Sequence, residues 1–222
     1  MATTTNPQIQ PLGDSAALVR FDSHLEKEAN QRAIAFAQQL AKTSISGITE
    51  IASGLVSVLV RYDSAQMRFG DLAGELRLVL VTGVVQKNTS TSKKYKLNVR
   101  FGGKHGPDLE AVADLLDLTP SEFIQKHNAN PLRVLATGFA PGFVYCGMHV
   151  SNLILPRRQQ VRAKVRKGTV LFAAGQTAIT ATSIPTGWHV IGHTDFSNFD
   201  PNDTQPTKLR PGDEITFLDG GK

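Results

Sequence analysis

The sequence predicts an α+β protein in two parts, a small α/β N-terminal domain over residues 1–90 and a β-barrel C-terminal domain over residues 91–222. Three observations predict it. Apolar residues in the first half recur at helical spacing between short apolar runs. The segment Lys87–Lys94 (KNTSTSKK) carries no apolar side chain. From Arg133 onward the chain becomes a series of short β-type runs broken by Gly or Pro.

Ala16–Phe21 (AALVRF) reads as the first strand, and Ser23 with Glu26 forms the pattern of a capping box that opens a helix. Along that helix Leu25, Ala29, Ala33, Phe36, Ala37 and Leu40 fall at intervals of three and four and share one buried face. Ile48–Ala52 and Ser57–Tyr62 read as strands about the turn residues Ser53 and Gly54. Leu72, Leu76, Val79 and Leu80 mark a second helix, giving the order β-α-β-β-α. The Lys87–Lys94 run cannot bury enough surface to offset the entropy of ordering it, so the boundary is placed there. Beyond it Tyr95, Leu97 and Val99 alternate with polar residues, as in a half-buried strand.

Two short helices are predicted at Asp108–Leu116 and Thr119–His127, the second with Thr119 at the N-cap, Pro120 at the first helical position and Glu122 three residues on. The β-type runs that follow suit a closed or nearly closed barrel. Arg210-Pro211-Gly212-Asp213 places Pro and Gly at the centres of a type II turn before a last strand, Glu214–Leu218.

Composition narrows the function. A length of 222 residues at 41% hydrophobic content buries one generous core or two modest ones. No run is long and apolar enough to span a membrane, and Met1–Gln10 is polar where a secretory leader would be apolar. A single cysteine, Cys146, excludes an internal disulfide. These features set the expectation of a cytoplasmic protein without a membrane partner. The net charge of +5, with six basic residues among the eleven from Arg157 to Lys167, attracts anions. No nucleic-acid-binding motif accompanies it, so small anions are the expected partners and nucleic acid is not.

Several common signatures are missing. No Gly-x-Ser-x-Gly elbow occurs. Gly102-Gly103-Lys104-His105-Gly106 has the wrong spacing for a phosphate loop. His189 and His193 stand four apart, but Gly192 interrupts them and no third ligand is evident, so no metal is expected. Cys146 reads as a small buried thiol. Gly138-Phe139-Ala140-Pro141-Gly142-Phe143-Val144-Tyr145 sets three aromatics about a rigid Pro-Gly corner, either a core-filling turn or a place where a ligand meets the backbone. From Val161 to Arg166 strict alternation puts Arg162, Lys164 and Arg166 on one strand face, either an anion-binding surface or a solvated one.

Phe101-Gly102-Gly103 with Gly106-Pro107-Asp108, the Gly138–Tyr145 segment, Gly175-Gln176-Thr177, Gly187-Trp188-His189-Val190-Ile191-Gly192, Phe199-Asp200-Pro201 and Leu209-Arg210-Pro211-Gly212-Asp213 stand in an order that resembles the allophanate hydrolase subunit 1 family. That family includes the B-type subunit of bacterial 5-oxoprolinase, an inhibitor of a sporulation histidine kinase and half of the urea carboxylase carboxyltransferase domain. The resemblance spans nearly the whole chain, from Pro11-Leu12-Gly13-Asp14 onward. It implies a cyclophilin-like barrel in the second domain and a partner resembling the C-type subunit of 5-oxoprolinase, or allophanate hydrolase subunit 2. The sequence departs from the family pattern at Ala178-Ile179-Thr180-Ala181, where Gly-Ile-Tyr-Pro is usual, at Thr186, where Gly is usual, and at His193, where Arg is usual.

The resemblance implies ATP-dependent opening of 5-oxoproline to glutamate, with ATP held largely by the partner. The alternatives are half of a biotin-dependent carboxyltransferase acting on urea or a similar small amide, with biotin on another domain or chain, and a non-enzymatic kinase-inhibitor-type binding protein. Under the leading reading Arg157 and Arg162 are the candidate catalytic cations, and Gln176, Thr177 and His189 orient the amide. Phe139, Pro141, Phe143, Tyr145 and Trp188 are the candidate substrate-binding wall.

Overall fold

The computed structural model describes residues 6–83 and 92–220. It divides into two compact units, Met1–Thr91 and Ser92–Lys222. Most of the polar Lys87–Lys94 run lies outside the described residues.

The first unit is a four-stranded antiparallel sheet of β1 (Gln8–Pro11), β2 (Ala16–Arg20), β3 (Ile48–Ser53) and β4 (Ser57–Tyr62), in the order β1-β2-β4-β3, with helices α1 (Lys27–Leu40) and α2 (Phe69–Gly83). Alternate residues Ala17 and Val19 of β2 and Val58 and Val60 of β4 form a core with Ala29, Ala33, Phe36 and Leu40 of α1 and Leu72, Leu76 and Val79 of α2. The expected helix face is therefore present. The expected capping box is not: α1 begins at Lys27 after an N-cap Glu26 that makes no side-chain cap bond. Asp22 Oδ1 accepts the His24 N–H at 3.0 Å and Ser23 Oγ meets His24 Nδ1 at 3.0 Å, so a local Asx turn engages the residues that capping would need. Strand β1 was not foreseen, because Gln8-Ile9-Gln10-Pro11 holds a single large aliphatic side chain and takes its conformation from pairing with β2.

The second unit contains β5 (Lys94–Phe101), α3 (Leu109–Leu115), α4 (Pro120–Asn128), β6 (Leu132–Thr137), β7 (Val144–Gly147), β8 (Arg162–Val165), β9 (Thr169–Ala173), β10 (Gln176–Ile179), β11 (Ile184–Thr186), β12 (His189–His193) and β13 (Glu214–Asp219). Seven of these strands close a barrel in the order β10-β7-β6-β13-β5-β12-β9, while β8 and β11 make a separate two-stranded ribbon. This is the expected α+β fold with a closed barrel. Helix α4 opens with the full capping box: Thr119 Oγ1 accepts the Glu122 N–H at 3.2 Å, and Glu122 Oε2 accepts the Thr119 N–H at 2.8 Å. The Arg210–Asp213 turn closes through Asp213 N donating to Arg210 O at 3.0 Å, with Gly212 at φ +100°. The Asp213 carboxylate then accepts the Lys93 and Arg210 N–H groups, each at 2.9 Å, tying the entries to β5 and β13 together.

Alternation along the strands divides the second unit into two apolar clusters. One gathers Leu97, Val99, Val134, Val144, Cys146, Val170, Phe172, Ile179, Ile191, Ile215 and Phe217, and α3 and α4 add Val112 and Phe123. The opposite face of β7, β9, β10 and β12 carries Phe143, Leu171, Ala173, Ala178 and Val190 with Trp188, and the ribbon adds Val165 and Ile184. Cys146 is fully buried in the first cluster, and burial pushes its thiol well above the ordinary range. It is an inert packing residue.

Candidate functional site

The Gly138–Tyr145 segment makes a tight corner leading into β7. Phe143 N donates to Ala140 O at 3.0 Å across Pro141 and Gly142, and Gly142 adopts φ +68°. A Cβ on Gly142 would lie 2.5 Å from the Phe199 Cβ and 2.7 Å from the Ala181 Cβ, so only glycine fits. Asn198, buried, fixes the corner from behind. Its Nδ2 donates to Gly142 O at 3.0 Å, and its Oδ1 accepts from Leu209 N at 2.8 Å. Phe139 holds φ +73°, strained for a bulky side chain, and it is 73% exposed. Strain retained to present an aromatic ring to solvent is characteristic of binding loops.

From Phe139 an aromatic ladder runs across the outer barrel face: Phe139 to Phe143 at 5.5 Å, Phe143 to Tyr145 at 4.8 Å and Tyr145 to Trp188 at 6.0 Å between ring centroids. The Arg157 guanidinium caps it, 5.8 Å from the Trp188 ring. Arg157 forms no ion pair or hydrogen bond among the described residues. Burial raises the Tyr145 phenol above its ordinary value, and the neighbouring Arg157 charge offsets part of that rise. Tyr145 is thus a proton-bearing donor at neutral pH.

Gln176 joins the same face. Ala178 pairs with Tyr145 across β10 and β7, so Gln176, two residues back along β10, is diagonal to Tyr145. Its Oε1 is buried without a hydrogen-bond partner. A buried, unpartnered amide oxygen is an unmet acceptor on this sheet face. Phe139, Phe143, Tyr145, Trp188 and Arg157 are therefore linked in one chain of ring contacts, with Gln176 diagonal to Tyr145 on the same sheet face and Pro141 exposed at the corner.

Three other expected site residues stand elsewhere. Arg162 is bound to Asp108, with Nη2 donating to Oδ1 at 2.5 Å, and Arg158 Nη1 donates to both Asp108 oxygens at 3.0 and 2.9 Å. Asp108 Oδ2 also accepts the Val190 N–H at 2.8 Å. Burial alone would raise the Asp108 carboxyl, but the Arg162 bond, the Val190 amide and the two guanidinium charges outweigh it and hold it below the usual range. Arg162 thus neutralises a part-buried carboxylate. His189, expected to orient the amide, instead donates from Nε2 to Pro156 O at 3.1 Å.

Thr177 is fully buried and projects to the opposite side of β10 from Gln176, between two histidines. His127 Nδ1–H donates to Asn128 Oδ1 at 2.7 Å, which leaves His127 Nε2 to accept from the Thr177 hydroxyl at 2.8 Å. Thr177 Oγ1 in turn accepts from His149 Nε2–H at 2.8 Å. Burial pushes His127 down to about 4, partly offset by the Asn128 bond, and burial followed by the His127 charge takes His149 down to about 3. Both rings are neutral hydrogen-bonding groups that fix β10, and so the position of Gln176.

Asp108, Arg158, His127, His149 and Asn198 were not foreseen as site-building residues. One signal was available: Asp108 follows Gly106-Pro107, and the basic run 157–167 needs an acid. Among the described residues no group of three or more His, Cys, Asp or Glu could hold a metal ion. Among the described residues no helix is long and apolar enough to cross a membrane.

Known proteins resemble this chain over most of its length. The family model described as carboxyltransferase domain, subdomain C and D, matches residues 7–209. The B-type subunit of 5-oxoprolinase from Bacillus subtilis (strain 168) is 31% identical over 225 residues, covering 97% of this chain and 93% of that protein. The crystal structure of TTHA0988 superposes with a TM-score of 0.79 at 29% identity over 92% of this chain, which spans only 39% of that longer polypeptide. The urea carboxylase of Kluyveromyces lactis shares the fold, with a TM-score of 0.80 at 18% identity over 99% of this chain and 22% of that one.

Proposed function

Because this chain belongs to the carboxyltransferase subdomain C and D family, we propose that it is the B-type subunit of an ATP-dependent 5-oxoprolinase, opening 5-oxoproline to glutamate together with a C-type partner chain. The observation that carries this reading is the outer barrel face, where an unpaired Arg157 lies over Trp188, the Tyr145 ring sits between Trp188 and Phe143, and the Gln176 Oε1 on the same face has no partner. These groups match the substrate's chemistry. Arg157 takes the carboxylate, Tyr145 O–H donates to the lactam carbonyl oxygen, and Gln176 Oε1 accepts the lactam N–H. As water adds to the activated lactam carbonyl carbon and the C–N bond breaks, the nitrogen leaving as the amine of glutamate, charge that develops on the carbonyl oxygen meets a donor already in place.

ATP supplies the driving force for opening the lactam. The Gly102–Gly106 turn does not fit its phosphates. Gly102 N donates to Ile191 O at 3.1 Å, His105 N and Gly106 N both donate to Gly102 O, and a Cβ on Gly106 would collide with Ile191 O. We therefore assign the nucleotide to the partner. Exposed apolar side chains near the ladder support a partner: Phe139, Met148, Val150, Ile154 and Val161 lie in loops flanking β7 and β8. TTHA0988, in which the equivalent of this chain is under half of a longer polypeptide, is consistent with such pairing.

Size-exclusion chromatography after co-expression with a C-type partner, followed by an ATP-dependent 5-oxoproline assay, tests the proposal. We expect a stable complex whose turnover needs both chains. The family match favours one second reading, half of a carboxyltransferase acting on a urea-like amide with biotin carried elsewhere. Complex formation with turnover of urea in place of 5-oxoproline would select it.

A further inference from the structure

A second polar cluster lies around the ends of β5 and β12 and the turn between β8 and β9. Arg100 donates to Asp195 through both terminal nitrogens, Nη1 to Oδ2 at 2.9 Å and Nη2 to Oδ1 at 2.6 Å, so this carboxylate is fully engaged by one guanidinium. Arg100 Nη2 also reaches His193 Nδ1 at 3.3 Å, and His193 Nε2–H donates to Lys167 O at 3.1 Å. Arg166 Nη2 donates to His105 Nδ1 at 3.0 Å, and the His105 and His193 rings lie 5.8 Å apart.

The charges do not balance. Arg100, Lys104, Arg166 and Lys167 bring four positive charges to this end of the barrel, and Asp195 answers one of them. The imidazoles register the excess. Desolvation and then the charges of Arg100, Arg166 and Lys104 lower His105, and desolvation and then Arg166 lower His193. An uncompensated cationic cluster is held against its own repulsion, and an anion entering it relieves that repulsion.

The cluster borders a pocket of about 130 Å³ lined by Lys167, Gly168, His193, Thr194, Asp195 and Ser197 together with the apolar Ala181 and Phe196. That volume is well below the several hundred cubic ångströms of an ordinary small-molecule site, and it suits one compact ion. Its floor is built closely. A Cβ on Gly168 would collide with Thr194 O and lie 2.9 Å from His193 Nε2, so the backbone packs where any other residue would intrude. Donors line it. The Lys167 ammonium has no partner among the described residues, and the Thr194 hydroxyl accepts the Phe196 N–H at 3.2 Å, which leaves its own proton to donate.

We propose that this pocket binds a single tetrahedral oxyanion of the phosphate class, held by Lys167 and the Thr194 hydroxyl within the field of Arg100 and Arg166. The site shares no lining residue with the aromatic ladder and stands independently of the lactam reading.

The test is a titration of the full chain with inorganic phosphate, followed by amide and imidazole NMR, against chloride at matched ionic strength. Saturable shifts at Gly168, Thr194 and the His193 ring with phosphate alone are expected. Lys167→Glu, at an exposed position that leaves the fold intact by circular dichroism, raises the phosphate Kd by about tenfold or more through loss of a charge-assisted bond. ATP titrated in parallel identifies the source of the oxyanion. Tighter binding of ATP than of phosphate at these same residues would overturn the single-ion assignment. Shifts that grow linearly with both salts, or an unchanged Kd in Lys167→Glu, would remove the site altogether.

Discussion

Asp108 binds the Arg162 guanidinium at 2.5 Å, and that one contact engages the arginine that the family resemblance had offered as a catalytic cation. With Arg158 and the Val190 N–H it forms a brace linking the start of α3, the ribbon strand β8 and the barrel strand β12. Arg157, one residue before Arg158, remains over Trp188.

The brace and the free arginine therefore separate stability from binding. Asp108→Ala leaves two guanidinium groups without their shared carboxylate and the Val190 N–H without its acceptor. We expect a loss of roughly 2–3 kcal/mol by urea denaturation. Arg162→Ala costs less, because Arg158 keeps its two bonds. An Asp108→Ala protein as stable as the parent would mean that the brace adds nothing to stability.

The buried histidines make stability depend on pH. His127 drops from its ordinary 6.5 to about 4 in the folded chain, and His149 to about 3, so the unfolded chain binds more protons throughout this window. Stability is complete above pH 6.5 and falls as the pH drops toward 4, by roughly 1.4 kcal/mol per pH unit for each histidine. Urea melts at pH 7.5, 6 and 5 should show this decline, and His127→Phe should reduce its slope. A flat profile would mean that the rings are charged or exposed in the folded protein.

Thr177→Val tests the same network without changing side-chain volume much. It removes the acceptor for His149 Nε2–H and the donor to His127 Nε2, and we expect a loss of about 1–3 kcal/mol. Stability equal to the parent would show that the valine methyl groups repack without a polar cost.

Gly142→Ala should be costly, by roughly 1–3 kcal/mol, because this buried glycine's φ +68° and contacts at 2.5 and 2.7 Å leave the new methyl no room. Ala140→Gly at the same turn is the control, with an expected effect of under about 1 kcal/mol in urea melts.

The fold was largely legible because periodicity reports burial directly. Leu97 and Val99 alternate into the barrel core as the sequence pattern required, and the Thr119-Pro120-Ser121-Glu122 signature of α4 is local chemistry that tertiary context leaves intact. The Ser23–Glu26 pattern misled because a neighbouring Asp22 offered the backbone a competing turn. At the site, the aromatic ladder and Arg157 came from motif positions. The roles of Arg162, His189 and Thr177 depended on partners 33 to 54 residues away in sequence, respectively Asp108, Pro156 and His127, which no local pattern encodes.

If Arg157, and not Arg162, receives the substrate carboxylate on the outer barrel face, the effect belongs in substrate affinity. The most direct measurement is the KM for 5-oxoproline of the complex reconstituted with a C-type partner, comparing Arg157→Ala with the parent at matched stability. A rise in KM of about tenfold or more is expected from the loss of a charge-assisted hydrogen bond, with stability unchanged within about 0.5 kcal/mol. An unchanged KM in Arg157→Ala, or full turnover by this chain without its partner, would contradict it.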